Sequence, residues 1–166
     1  ITKRNIKTLT DIEQRGVMVT NNNLEAVQYA DLIILSVKPY QIQEVIQQIK
    51  PALNPTRHLL VSVVTGITLN DMQTWAGNHF PLVRAMPNTA IAIGASMTCL
   101  CSRDTSESQL QEIEKLFQAL GLTLRIEERL MKAATVLAAS GIAFFMRYLR
   151  AATQGGIQMG FDAEEA

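Results

Sequence analysis

An unbroken apolar run, Leu32-Ile33-Ile34-Leu35, ends in Ser36-Val37-Lys38-Pro39. It passes into Ile42, Val45, Ile46 and Ile49 at helical spacing. A continuous branched-aliphatic run of strand length suits a strand covered on both faces, as in a parallel sheet. Pro39 cannot donate to a strand ladder, but it fits the first turn of a helix. The unit is therefore strand, tight turn, helix. Its turn lies at the carboxyl end of a strand, where open α/β sheets bind their ligands. Lys38 places a fixed positive charge in that turn, although a solvated loop lysine would look the same.

The rest of the chain repeats the alternation. Residues 1–5 read as the end of a strand, 6–14 as a helix stopped by Gly16, and 17–20 as a short strand. Asn23 is the expected cap of a helix over 24–29. Residues 58–64 read as a second buried strand, followed by Thr65-Gly66 and a helix capped by Thr68 or Asn70 that runs to Ala76. Residues 81–85 form a strand leading into Met86-Pro87-Asn88-Thr89, and 95–101 form another. Asp104 or Thr105 starts an amphipathic helix through Leu120, with Leu110, Ile113, Leu116, Phe117 and Leu120 on one face. Residues 122–126 are the last strand. This order predicts an α/β fold with a doubly wound parallel (Rossmann-type) sheet. Right-handed crossovers then bring the turns after Thr2, Val19, Val37, Val64 and Ala85 to one cleft.

The pattern changes after Ile126. Residues 127–137 and 140–159 read as helices with no strand between them, and Ser140-Gly141 reads as a helix restart with Ser140 as N-cap. The expected division is a partial dinucleotide-binding domain over 1–126 and the beginning of an all-helical domain over 127–166. The nearly uncharged stretch from Ala133 to Phe145 is expected to be enclosed by neighbours or by a partner subunit. Ile1-Thr2 reads as the tail of a strand already under way, and Asp162 as the cap of a helix just beginning. A piece of a longer protein, lacking its first strand and Gly-rich loop, is expected.

Composition narrows the function classes. Lys plus Arg and Asp plus Glu are 15 each, which gives no electrostatic case for nucleic acid or an anionic membrane. No apolar run is expected to approach the roughly 20 residues of a spanning helix. Cys99 and Cys101, two apart on a strand, would share a face and suit a reduced, cytoplasmic protein. Neither His58 nor His79 has ligand spacing to them, so no metal is expected.

Several side chains could carry chemistry. Arg4, beside Lys3, follows the first strand end, where a dinucleotide fold meets the adenosine ribose. An acid there suits a 2′-hydroxyl and an arginine a 2′-phosphate, which favours NADPH over NADH. The plainer reading is a solvated basic loop. No G-x-G-x-x-G occurs, so the phosphate cradle would belong before residue 1. Asn88 offers a donor and an acceptor at a strand end, or else simply an Asx turn. Thr135 and Ser140 are hydroxyls in an apolar helical region. Glu127 and Glu128 favour a helix N-terminus by charge and carry no further expectation. Trp75 is expected in the core.

Ser36-Val37-Lys38-Pro39, Val61-Ser62-Val63-Val64-Thr65-Gly66-Ile67, Arg84-Ala85-Met86-Pro87-Asn88-Thr89, residues 137–144 and the tail from Gly155 to Gly160 follow one another as in pyrroline-5-carboxylate reductases. The chain resembles that family over nearly all its length. The resemblance implies reduction of 1-pyrroline-5-carboxylate to L-proline with NADPH or NADH, the last step of proline biosynthesis. It also implies a homodimer or higher homo-oligomer built through the helical domain. By position it puts Arg4 and Asn23 near the adenosine phosphate. Ser36, Val37, Lys38, Pro39 and Thr65 would lie along the cofactor, and Met86, Pro87 and Asn88 at its nicotinamide end. Thr135 and Ser140 would stand on the substrate side. The sequence departs from the family at Thr65, usually alanine, at Ala90, usually proline, and at Ala138-Ala139-Ser140-Gly141-Ile142-Ala143, where Ser-Gly-Ser-Gly-Pro-Ala is usual. Two other readings remain: a non-catalytic or regulatory relative on this scaffold, and a 2-hydroxyacid or prephenate-type dehydrogenase that would lean on Lys132. The isolated 166 residues are expected to be inactive.

Overall fold

The computed structural model describes residues 1–166. Five strands form one sheet in the order of the chain: β1 (Leu32–Leu35), β2 (Leu59–Ser62), β3 (Leu82–Met86), β4 (Ser96–Arg103) and β5 (Gly121–Arg125). Every residue of β2 and β3 is buried. Side chains alternate across them. Leu60 and Leu82 join a cluster with Leu35, Ile42, Ile46, Ile49 and Met72 on one face. Leu59, Val61, Val83 and Ala85 join Leu100, Ile113 and Phe117 on the other. Helices α2 (Asn23–Gln28), α3 (Ile42–Ile49) and α4 (Leu69–Ala76) supply the first cluster, and α5 (Glu107–Gln118) supplies the second. Truncating one of the fully enclosed isoleucines of α3 to alanine would cost about 2–5 kcal/mol.

The Rossmann-type layering is as expected, with one difference of direction. β1, β2 and β3 are parallel, and β4 and β5 are parallel to each other, but β3 and β4 run antiparallel. Residues 87–95, nine in all, connect β3 to β4. A parallel crossover needs a dozen or more residues, so this connection permits only a reversal. Gly121, at φ +139°, opens β5 against β4; a Cβ there would run into the Ser96 carbonyl.

β1 departs from full burial. Its ladder partner is β2 alone, and Ile34 is 46% exposed. Its other edge borders an apolar cavity of about 520 Å³, lined also by Ile1, Thr2, Ala26 and Val27. Thr2 makes a single parallel bridge with Thr20, so the two short N-terminal strands reduce to one pair of residues. Residues 6–14 split into a 3₁₀ turn (Ile6–Leu9) and the short helix α1 (Thr10–Glu13).

Two of three caps fall one or two residues from their expected places, and the third, Thr68, is one of its two expected residues. Asn22, not Asn23, caps α2, accepting from the Leu24 and Glu25 amides. Ser106, not Asp104 or Thr105, caps α5 in a reciprocal box with Gln109. Thr68 caps α4 by the same device with Asp71.

From Glu128 to Gln158 the backbone is one helical rod of 31 residues, long and apolar enough by length and composition to cross a membrane. It comprises a 3₁₀ turn (Glu128–Leu130), α6 (Met131–Ala134), a π-helical stretch (Thr135–Ser140) and α7 (Gly141–Gln158). Ser140 therefore does not restart a helix and makes no side-chain cap bond. Only Met131 of this rod is buried, and the stretch expected to be enclosed is largely open within the chain. Residues 163–165 form a turn held by Asp162, not a helix.

His58 enters β2 almost fully buried. Its Nδ1 accepts from the Asn54 amide at 3.0 Å, and its Nε2 has no partner. Burial, then the neighbouring Arg57 charge, hold its pKa below the ordinary 6.5, while Asp31 pulls weakly the other way. The unfolded chain takes up the proton first as the pH falls. Stability from the neutral ring is thus present above about pH 6.5 and lost from there toward the lowered folded value. Urea unfolding between pH 7.5 and 5.5 is expected to show a falling midpoint, and His58→Gln to flatten that slope. A wild-type midpoint constant across this range would contradict it.

Candidate functional site

At the carboxyl end of β1 the chain leaves through Ser36-Val37-Lys38-Pro39. Pro39 opens a 3₁₀ turn (Pro39–Gln41) that runs straight into α3, and the Gln41 side chain accepts from the Lys38 amide at 3.3 Å. This turn forms one wall of a pocket of about 660 Å³. Thr2, Lys3 and Arg4 form another wall, followed by Asn21 and Asn23. Asn23 Nδ2 donates to Gln48 Oε1 at 2.9 Å, which ties α2 to α3 across the pocket floor. Only three of the 13 lining residues are hydrophobic: Val37, Val45 and Val63. Three cations, Lys3, Arg4 and Lys38, face one acid, Glu44, among neutral amides. Such a set suits an elongated polar anion, with arginine offering paired donors and the lysines point charges.

The structure therefore brings together Arg4, Asn23, Ser36, Val37 and Lys38. Pro39, Thr65, Met86, Pro87, Asn88, Thr135 and Ser140 are not in that lining. Thr65 Oγ1 lies 4.0 Å from Met86 Sδ, so the loops leaving β2 and β3 meet. Asn88 is buried and acts as a cap: its Oδ1 accepts from the Ala90 amide at 3.0 Å, and its own amide donates to Ser96 Oγ at 3.2 Å. The Asx role thus holds at this position. Thr135 Oγ1 donates to the Met131 carbonyl at 2.8 Å, and Ser140 is exposed. No group of three or more His, Cys, Asp or Glu is placed to hold a metal ion. Cys99 and Cys101 are both free and buried, and burial pushes the Cys101 thiol up to about 11.

One residue escaped the sequence reading. Glu128 Oε1 accepts from Arg84 Nη1 at 3.0 Å and from the Leu69 amide at 2.6 Å. The signal was Arg84 itself, a lone charge inside the apolar strand Leu82–Met86. A charge in a doubly covered strand needs a counter-charge from elsewhere. Removing one member of such a buried pair typically costs about 3–5 kcal/mol.

Comparison with known proteins agrees with this geometry. Residues 1–66 match the family described as NADP oxidoreductase, coenzyme F420-dependent. Residues 128–166 match the pyrroline-5-carboxylate reductase dimerisation family. Pyrroline-5-carboxylate reductase 1 of Dictyostelium discoideum is 37% identical over 178 residues, covering 100% of this chain and 32% of that protein. The solved pyrroline-5-carboxylate reductase of Coxiella burnetii is 29% identical with a TM-score of 0.92, covering 99% of this chain and 62% of that one. The Plasmodium falciparum pyrroline carboxylate reductase, solved with NADP bound, has a TM-score of 0.80 at 24% identity, covering 89% and 56%. Sheet, cationic pocket and appended helix define a Rossmann-type α/β chain with a helical extension. Its whole length runs alongside the pyrroline-5-carboxylate reductases in sequence and in fold, and the chain is similar to that family throughout. It spans less than two thirds of the length of each of these relatives.

The departure at 138–143 also has a local account. The π-helical stretch closes with the Gly141 amide donating to the Val136 carbonyl. A Cβ on Gly141 would sit 2.7 Å from that carbonyl oxygen. Ile142 is the second residue of α7 and continues the rod. Gly141→Ala is expected to lower the thermal midpoint by several degrees, an overpacking loss of about 1–3 kcal/mol. An unchanged midpoint would show that the π turn absorbs the methyl.

Proposed function

We propose that the whole protein reduces 1-pyrroline-5-carboxylate to L-proline with NADPH, or less well with NADH. Residues 1–126 would contribute the dinucleotide-binding part, and 127–166 the start of the helical substrate and dimerisation part. The observation that carries this reading is the pocket at the end of β1. Its Lys3, Arg4 and Lys38 answer the charge of a phosphorylated dinucleotide, on a chain whose full length aligns with these reductases.

The bound cofactor would supply the hydride, and the residues of this chain supply placement and field. Arg4, with Lys3, is assigned to the 2′-phosphate of the adenosine, and Asn23 to the same end. Ser36 to Pro39 and Thr65 are assigned along the cofactor. The Met86-Pro87-Asn88 turn, with Met86 and Asn88 buried and Asn88 held by the Ser96 and Ala90 bonds, is assigned to the nicotinamide end. Thr135 and Ser140 are assigned to the substrate. Addition to a C=N bond is easier on the protonated imine, so a hydroxyl or water near the nitrogen meets the proton requirement.

The rod from Glu128 to Gln158 is assigned to a second copy of the chain. Phe144 and Tyr148, 75% and 71% exposed, belong to an apolar surface that residues 1–127 leave uncovered. The dimerisation family covers this same segment, and Lys132, Arg147 and Arg150 interrupt it with charge. These observations favour a protein partner over a lipid one, and with them a cytoplasmic homodimer or larger homo-oligomer without nucleic-acid partners.

The test is NADPH oxidation by the whole protein on pyrroline-5-carboxylate, where turnover well above the substrate-free rate is expected. Turnover at background would leave the non-catalytic reading of the scaffold. In the same assay Arg4→Ala is expected to raise the KM for NADPH about tenfold or more while moving that for NADH little, the loss of one charge-assisted phosphate contact. Equal changes for both cofactors would remove Arg4 from the phosphate site.

A further inference from the structure

Three segments that the proposed reaction must hold in register meet at one carboxylate oxygen. Glu128 Oε1 accepts from Arg84 Nη1 and from the Leu69 amide. Arg84 lies on β3, two residues before Met86. Leu69 begins α4, four residues after Thr65. Glu128 opens the rod that carries Thr135 seven residues on, about 10 Å further along a helix. The Glu128 carboxylate thus joins both loops assigned to the cofactor to the helix assigned to the substrate.

The burial of this contact is uneven. The Arg84 side chain is 8% exposed and that of Glu128 27%. Arg84 Nε has no hydrogen-bond partner, and Glu128 is the only acid in ion-pair contact with the guanidinium. Directly across the ladder stands Cys101, a neutral thiol. Stability does not explain such an arrangement, because apolar residues of similar volume serve a core as well or better than a buried ion pair. A buried pair does offer direction. It is satisfied in one geometry only, and that geometry ties the axis of the rod to the end of β3.

We propose that Glu128, acting through Arg84 and the Leu69 amide, is a positioning residue for hydride transfer. It holds the helix bearing Thr135 and Ser140 at a fixed distance from the Thr65 and Met86–Asn88 loops and touches neither reactant. The proposal rests on the reductase reading given above. Displacements of about 1 Å in such a geometry can slow a reaction by up to about a hundredfold without weakening ligand binding.

The test compares Glu128→Gln with the double variant Arg84→Met/Glu128→Leu, both in the whole protein. Each is expected to lower kcat on pyrroline-5-carboxylate about tenfold or more while changing the KM for NADPH less than about twofold. The double variant, which leaves no buried charge, is expected to keep the wild-type thermal midpoint. Wild-type kcat in the double variant would overturn the proposal, as would a kcat loss that vanishes on cooling along with any loss of stability. Amide exchange needs no substrate and separates this proposal from the reading beneath it. In the double variant Arg84→Met/Glu128→Leu, which leaves no unpaired charge, the Leu69 amide and those of residues 131–135 are expected to exchange about tenfold faster or more, a local loss of at least about 1.4 kcal/mol, with β2 and β3 unmoved. Unchanged exchange would overturn the proposal even in an active enzyme. Faster exchange in a protein that never turns over pyrroline-5-carboxylate would refute the reductase reading and leave the contact as a structural register.

Discussion

Both faces of β2 and β3 are covered, and this governs what those two strands can contain. A side chain on a doubly buried strand has no route to water, so any polar group on it must find its partner inside the protein. Among their nine residues only Ser62 and Arg84 are polar. Ser62 Oγ accepts from the Val64 amide at 3.2 Å and so shapes the exit from β2. Arg84 reaches Glu128 and so fixes the exit from β3 to the helical rod. Ser62 is the last residue of β2 and Arg84 stands two residues before the end of β3, close to where the loops assigned to the cofactor begin. Burial and site geometry are thus two consequences of the same covering layers.

Local pattern made much of this architecture legible. Leu32–Leu35 followed by Pro39 located β1 and the turn that walls the pocket, because branched aliphatics and a helix-initiating proline act through their own backbone preferences. Features that depend on distant partners were harder to read. Ile34 looks like a core residue by composition, yet it lies on a strand paired along one edge only. The reversal of β4 was written in the nine residues from 87 to 95, too few for a crossover, although strand pattern alone carries no direction. Asn22 beside Asn23, and Ser106 beside Asp104 and Thr105, offered several capping side chains within reach of one helix start, and composition does not choose among neighbours. The π turn at Thr135–Ser140 was misread because Ser-Gly signals a break in most settings, whereas here the missing Cβ of Gly141 lets the helix widen and continue.

The candidate site was legible in part for the same reason. Arg4 and Lys38 were placed by their positions at strand ends, Asn23, Ser36 and Val37 by the family resemblance, and all five share a pocket. Asn88 and Thr135 are instead engaged with nearby backbone in this structure. Glu128 looked like a helix-dipole acid because its partners lie 44 and 59 residues away in sequence. Only the cost of burying Arg84 alone demanded a distant acid, and that demand is visible in the sequence once β3 is known to be central.

Net charge illustrates how a whole-chain average hides a local field. The chain carries 15 cationic and 15 anionic side chains, yet the pocket holds Lys3, Arg4 and Lys38 against Glu44, a local excess of three minus one, or two positive charges. Many of the acids that balance the sum are spent elsewhere: Glu107 and Glu114 on Arg125, Glu127 on Arg129, Asp31 on Arg57 and Glu128 on Arg84. Most of these pairs are exposed and worth little to stability. Their effect is to neutralise cations outside the pocket, while Lys3, Arg4 and Lys38 within it form no ion pair. At physiological salt the screening length is about 8 Å, so such a cluster acts on what enters the pocket and hardly beyond it. A chain with no overall charge can in this way attract a polyanionic ligand at one site without also becoming a general binder of anions.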